Sequence, residues 1–242
     1  MCVRYNSNPE VYKARKSLSE YLTIRRKATD IDDIAFLAGI ELYMLESIEA
    51  FSIEVEELIA EYLDKQVSNS IDEAALVLAL AGLLRTYYLE VGVYIQATYS
   101  EYYKAPKASN FESLLLPYLA TRVNTVLPDV VSNLSGNVKV NTRQRATAIA
   151  FTELGILQSI SERLTMDRLA AERPIKKYWV GVLDDRIRDG HFEAAQFYNP
   201  SNAIGYNELF LVGGEWLQYP RDTRGSAKNI INCRCYISYV TK

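Results

Sequence analysis

The sequence predicts a mainly α-helical protein with a small C-terminal α+β domain, a helical bundle followed by a short antiparallel sheet. Three observations carry this reading. Apolar residues recur at three- and four-residue spacing through most of residues 30–172. At Arg173-Pro174 the pattern changes to short β-like runs with turn glycines. The 242 residues, 49% of them apolar, are enough for a real core in one large domain or two modest ones.

The elements follow in order. Residues 1–28 are basic and polar, and Val11, Leu18 and Leu22 fit a short helix decorated by Lys13, Arg15 and Lys16. Thr29-Asp30-Ile31-Asp32-Asp33 reads as a helix start, because Thr and Asp accept from free N–H groups and suit the dipole's positive end. Ile34, Leu37, Ala38, Leu42, Leu45 and Ile48 then recur at helical spacing. A second period, Ile53, Leu58, Ile59 and Leu63, continues that helix or follows a break near Phe51-Ser52. Between Glu41 and Asp64 stand eight acidic side chains and no Lys or Arg. A solvated face is the preferred reading of that run, and a docking surface for a basic partner is the other.

Ser68-Asn69-Ser70 marks a loop, and residues 72–103 form the strongest helix of the chain. Leu76, Leu80, Leu83, Leu84, Tyr87, Val91, Tyr94, Ile95 and Tyr99 give it a broad apolar stripe, which places it centrally in a bundle. Tyr87, Tyr88, Tyr94, Tyr99, Tyr102 and Tyr103 could be a base-stacking ladder, but their helical spacing favours core or subunit packing. Residues 104–110, with Pro106, connect to a helix over 111–134 that Pro117 and Pro128 bend. Ser135-Gly136-Asn137 ends it, and Val140-Asn141-Thr142 opens the next, 143–172, with Ala146, Ile149, Ala150, Leu154, Leu157, Ile160 and Leu164 on one side. Tyr178-Trp179-Val180-Gly181-Val182 reads as a strand. Phe210-Leu211-Val212 and Glu215-Trp216-Leu217 form a hairpin across Gly213-Gly214, and Cys235 to Val240 is the last strand. The division is a helical body, 1–140, and a second domain, 141–242, made of the helix 143–172 and an α+β part, 174–242.

Charge and cysteine usage narrow the function. A net charge of −3 gives the whole molecule no electrostatic footprint for nucleic acid. Cys2, Cys233 and Cys235 are too few and odd in number for a disulfide scaffold. The N-terminus lacks a signal-peptide pattern, and the apolar run 74–84 is too short to span a bilayer. These features point to a protein made in a reducing cytoplasm, with no membrane partner.

The informative stretch is Lys177-Tyr178-Trp179, then Asp184-Asp185-Arg186-Ile187-Arg188-Asp189-Gly190-His191, Phe210-Leu211-Val212, Pro220-Arg221-Asp222 and Asn232-Cys233-Arg234-Cys235. So many charged groups in a compact segment are costly to bury unless they partner one another, so Asp185, Arg186 and Arg188 are expected to pair across the small domain. His191 with Cys233 and Cys235 admits several chemistries. The preferred reading is a hydrogen-bonded histidine beside two small buried thiols, with no cofactor. Zinc is the second, with Asp185 or Asp222 as a fourth ligand, although Cys-x-Cys is tighter than the usual spacing. A disulfide is the third. A cysteine nucleophile with His191 as base and Asp222 as orienter is the weakest, because no Gly-rich oxyanion loop accompanies it.

The order of these elements resembles the C-terminal domain of phage minor head proteins related to protein F of phage Mu. Those proteins show a Trp, an Asp-Asp-Arg-x-Arg-x-x-His run, a Phe and hairpin, a Pro-x-Asp and a closing Asn-Cys-Arg-Cys, with an upstream Thr-Glu matched here by Thr152-Glu153. The resemblance covers residues 143–236. It departs after His191, where Glu193-Ala194-Ala195-Gln196 stands in place of a nearby Gly. It implies a non-enzymatic structural protein of a phage head, made in the host cytoplasm and located in the virion. Its partners would be the portal protein and/or the major capsid protein, with several copies per particle and a role in head assembly or genome delivery. Thr152, Glu153, Trp179, Asp185, Arg186, Arg188, His191, Asp222, Asn232 and Arg234 would then be a structural polar cluster. The basic residues Arg221, Arg224, Lys228 and Arg234 are read as solvated or paired within the chain, with packaged DNA or an acidic portal surface as the alternative partner. A toxin-like enzyme built on the His/Cys/Asp cluster is the competing function.

Overall fold

The computed structural model describes residues 31–67, 73–135, 142–182 and 186–241. The expectations for residues 1–30, for the loops near residues 69 and 137, and for Cys2 and Asp185 lie outside them. The chain is mainly α with a small C-terminal α+β domain, as its periodicities predict.

Helix α1 (Ile31–Val67) runs unbroken through Phe51-Ser52. Its buried stripe is Leu37, Ile40, Met44, Ile48, Phe51, Val55, Ile59 and Tyr62. Leu42 and Ile53, expected inside, are exposed. The helix carries apolar residues on more than one side, so periodicity identifies a helix without fixing which side faces the core.

Helix α2 (Glu73–Tyr103) buries Leu76, Leu80, Leu84, Tyr87, Val91, Ile95 and Tyr99. Its tyrosines pack inward: Tyr94 stacks on Tyr43 and Tyr102 on Phe36. The helix is long and apolar enough to cross a bilayer by length and composition. Here it packs on α1, on the helices of residues 111–135 and on the helix of 142–172. It stops at Lys104, whose φ of 56° turns the chain left-handed, while Ala105 donates its N–H to Ser100 O at 3.0 Å.

The helix expected over 111–134 is three pieces: α3 (Phe111–Thr121), a π turn (Arg122–Val126) and α4 (Leu127–Ser135). Pro128 explains the interruption, whereas Pro117 lies inside α3 without breaking it. Pro128 has no N–H for the carbonyl four residues back, and just before it the Leu127 N–H reaches Arg122 O, five residues back.

Helix α5 (Thr142–Glu172) is the spine of the molecule. It packs along both α1 and α2. From Thr152 to Leu157 every residue is buried, which covers all sides of the helix. The C-terminal segment supplies the cover that the helices leave open, and one continuous apolar core runs through both parts.

The C-terminal part holds a sheet in the order β2-β1-β5, from β1 (Ile175–Val180), β2 (Ile204–Gly205) and β5 (Tyr236–Thr241), all antiparallel. A separate hairpin joins β3 (Phe210–Val212) to β4 (Glu215–Leu217). Gly213 and Gly214 turn it with φ of 55° and 82°, values that a residue with a Cβ adopts only under strain. Two short helices, α6 (Asp189–Phe197) and α7 (Ala227–Ile230), flank the hairpin. The end of the charged run, from Asp189, is the first turn of α6.

A buried histidine–cysteine cluster as candidate functional site

Trp179 stands on β1 and is 1% exposed. Its ring meets Phe210 and His191 edge to face, at centroid distances of 5.3 and 5.8 Å. Its backbone N–H donates to Tyr198 O at 2.9 Å, which ties β1 to the end of α6. At the other end of α6, a Cβ on Gly190 would lie 2.5 Å from the Gly213 Cα. A glycine before His191 is what lets α6 close on the hairpin.

His191 is therefore held in the first turn of α6, 2% exposed. Its Nδ1 faces Cys235 Sγ at 3.3 Å and Cys233 Sγ at 3.5 Å. Its Nε2 faces Asn229 Oδ1 at 3.2 Å. The orientation of the Asn229 amide follows from its own bond, since Nδ2 donates to Val212 O at 3.3 Å. The amide oxygen is thus the atom turned to the ring, so Nε2 carries the proton and Nδ1 presents its lone pair to the two sulfurs.

The Asn-Cys-Arg-Cys segment is fastened on every side. Asn232, with φ of 53°, donates its N–H to Thr152 Oγ1 at 3.3 Å, and Cys233 donates its N–H to Ile230 O at 3.2 Å. Arg188 donates to Ile231 O. Arg221, 4% exposed, donates through Nη2 to Cys235 O at 2.7 Å. The Arg221 guanidinium lies on Gly155 of α5, where a Cβ would sit 2.4 Å from Nη1. The Cys235 thiol bond and the Arg221 charge pull the Cys233 thiol well below its ordinary range, against burial. Cys235, which donates in that pair, is pushed up.

The other expected residues have separate tasks. Glu153, 4% exposed, holds the Arg122 guanidinium through both carboxylate oxygens. Asp222 accepts from Gln218 N at 2.8 Å and from the backbone and side chain of Arg224, which holds its carboxyl below the usual range despite burial. It stands outside the His191–cysteine cluster, which unites only His191, Cys233 and Cys235 among the described residues. Arg186 is exposed in a turn and Arg234 half-buried. Of the basic residues read as paired, Arg224 meets Asp222 and Lys228 meets Glu215.

Sequence reasoning missed four participants: Asn229, Arg122, Gly155 and Lys177. A glycine inside a helix signals close approach, and Gly155 follows Glu153 by two residues. Lys177, in β1, is 1% exposed, donates to Gln218 O at 2.7 Å and lies 4.7 Å from the Phe210 ring centre. Burial drives its ammonium down to about 7. Glu162 of α5 is pushed by burial up to about 7, against the amide bond from Gln158 at 2.8 Å.

No family model, curated protein or solved structure matches the chain. What the geometry defines is a closed, internally bonded cluster at the junction of β1, α6, the hairpin and α5.

Proposed function

We propose that this protein is a structural, non-enzymatic component of a phage head, docked to the portal or the inner capsid surface. The observation that carries the reading is the use made of the ordered residue set. Thr152, Glu153, Trp179, Arg188, His191 and the Asn232–Cys235 segment each tie one segment of the chain to another, and most are shut from solvent. Such a set fixes a rigid shape, which is what an assembly component needs from its core. The surface adds an apolar contact face. Leu211 and Trp216 are cross-strand partners on the outer side of the hairpin, 44% and 61% exposed. Phe192 and Phe197 of the adjoining α6 are exposed as well.

The competing enzyme or toxin reading draws on the 3.3 Å contact between His191 and Cys235. It requires a substrate to reach sulfurs that are 3% exposed, and Asp222 is spent elsewhere. The test is co-expression with a tailed-phage portal protein and major capsid protein, followed by cryo-electron microscopy of the particles. Density for this chain at the portal vertex or inner shell, lost for Leu211→Ser/Trp216→Ala with the fold intact, is the expected result. Particles that assemble normally and exclude the chain would overturn the reading.

A further inference from the structure

We infer that His191, Cys233 and Cys235 form a binding site for a thiophilic d10 cation, zinc by its chemistry, that locks the C-terminal segment onto α6. This rests on geometry alone and stands whether or not the protein belongs to a phage head.

Three observations converge. The first is spacing. Zinc bonds of about 2.05 Å to nitrogen and 2.3 Å to sulfur in a tetrahedron place a nitrogen and a sulfur ligand about 3.6 Å apart. The ring nitrogen lies 3.3 and 3.5 Å from the two sulfurs, and the three ligand atoms all fall within 4.8 Å of one another. Widening these two contacts by about 0.1–0.3 Å seats one ion between the three atoms.

The second is the tautomer. A ligating imidazole nearly always donates its other N–H to an outer acceptor that orients the ring. Asn229 does this here, because its Nδ2 is committed to Val212 O and its Oδ1 is left for Nε2–H. The lone pair on Nδ1 is thereby aimed at the point between the sulfurs.

The third is the provenance of the ligands. His191 comes from α6 and both cysteines from the segment before β5, a segment already bonded to Thr152 of α5 and to Arg221. An ion here joins pieces more than forty residues apart in the chain, which is where a metal stabilises most. Two thiolates and one neutral imidazole balance a divalent charge. With Asp222 held by Gln218 and Arg224, the fourth position falls to a water molecule.

The experiment uses the full chain, purified without chelators under reducing conditions, with metal content measured beside circular dichroism and a melting curve. The expected result is about one zinc per chain, a lower melting temperature after chelation, and its recovery with zinc but not magnesium. Cobalt exchange should give thiolate-to-cobalt charge-transfer bands and tetrahedral d–d bands. Cys233→Ser or Cys235→Ser should abolish both. If those variants fail to fold, Asn229→Ala decides: it leaves every ligand in place and should weaken zinc affinity about 10- to 100-fold. Cooperatively folded wild-type protein that holds less than about 0.1 zinc and gives no cobalt spectrum after reconstitution would overturn the inference. So would an Asn229→Ala protein that folds and binds zinc as tightly as wild type.

Discussion

Gly155→Ala and Gly82→Ala are the same substitution in two long helices, and the structure gives them opposite signs. Intrinsic propensity favours alanine over glycine in a helix interior by about 1 kcal/mol at both sites. At Gly82 nothing lies within 4 Å of the added Cβ, so that gain should be realised. At Gly155 the Cβ would meet Arg221 at 2.4 Å from Nη1, 2.8 Å from Cδ and 3.0 Å from Cζ. The guanidinium must move by about 1 Å to reach ordinary contact distance, and it is 4% exposed with little room to do so. That movement breaks its 2.7 Å bond to Cys235 O, a charged hydrogen bond worth about 1.5–3 kcal/mol. Subtracting the helical gain leaves a net loss of about 0.5–2 kcal/mol. For a chain of this length, thermal melts should put Gly155→Ala about 1–8 °C below wild type and Gly82→Ala about 2–4 °C above it. A Gly155→Ala protein that melts at or above wild type would refute the close approach of Arg221 to α5.

Two further outcomes follow from buried charge. Glu153→Ala should cost about 3–5 kcal/mol in urea unfolding, because it strands the Arg122 guanidinium in a side-chain environment that is 12% exposed. Arg122→Ala/Glu153→Ala should cost less than the sum of the two single changes, and strict additivity in the double-mutant cycle would mean the pair is not formed. Burial lowers Lys177 to about 7, whereas an unfolded lysine titrates near 10.5, so between these values the unfolded chain holds more protons. Stability therefore rises with pH across that window, by up to about 1.4 kcal/mol per pH unit from this group. Lys177→Met should remove that increment, and parallel wild-type and variant curves between about pH 7.5 and 9.5 would show Lys177 to be solvated.

The helices and the hairpin were legible because their signals are local. The period of 3.6 marks α2 and α5, and Gly213-Gly214 dictates the turn between β3 and β4. The buried side of α1 was not legible: choosing Ile40, Met44 and Phe51 over Leu42 and Ile53 depends on where α2 and α5 lie. In the site, the ordered set includes Thr152, Glu153, Trp179 and His191, all buried, while their partners stayed hidden. Arg122 meets Glu153 across 31 residues, and a π turn imposed by a proline sets its position. Asn229 meets His191 across 38 residues, and nothing in its neighbourhood of the sequence announces the contact.

Helix α5 has a temporal consequence. During synthesis its residues emerge well before those that cover them. Asn232, Arg221 and Tyr206, which close on Thr152, Gly155 and Arg163, follow 43 to 80 residues later. Tyr103, at the end of α2, waits longer still for Ser238 and the Tyr239 amide, 135 and 136 residues on. At about 5–20 residues per second, the ribosome needs several seconds to deliver this last cover after α5 is out. Through that interval the polar face of α5 and the end of α2 stand open to water and to other chains. The nascent chain is thus exposed to misassembly until β5 leaves the ribosome, and a truncation before Tyr236 would prolong that exposure indefinitely.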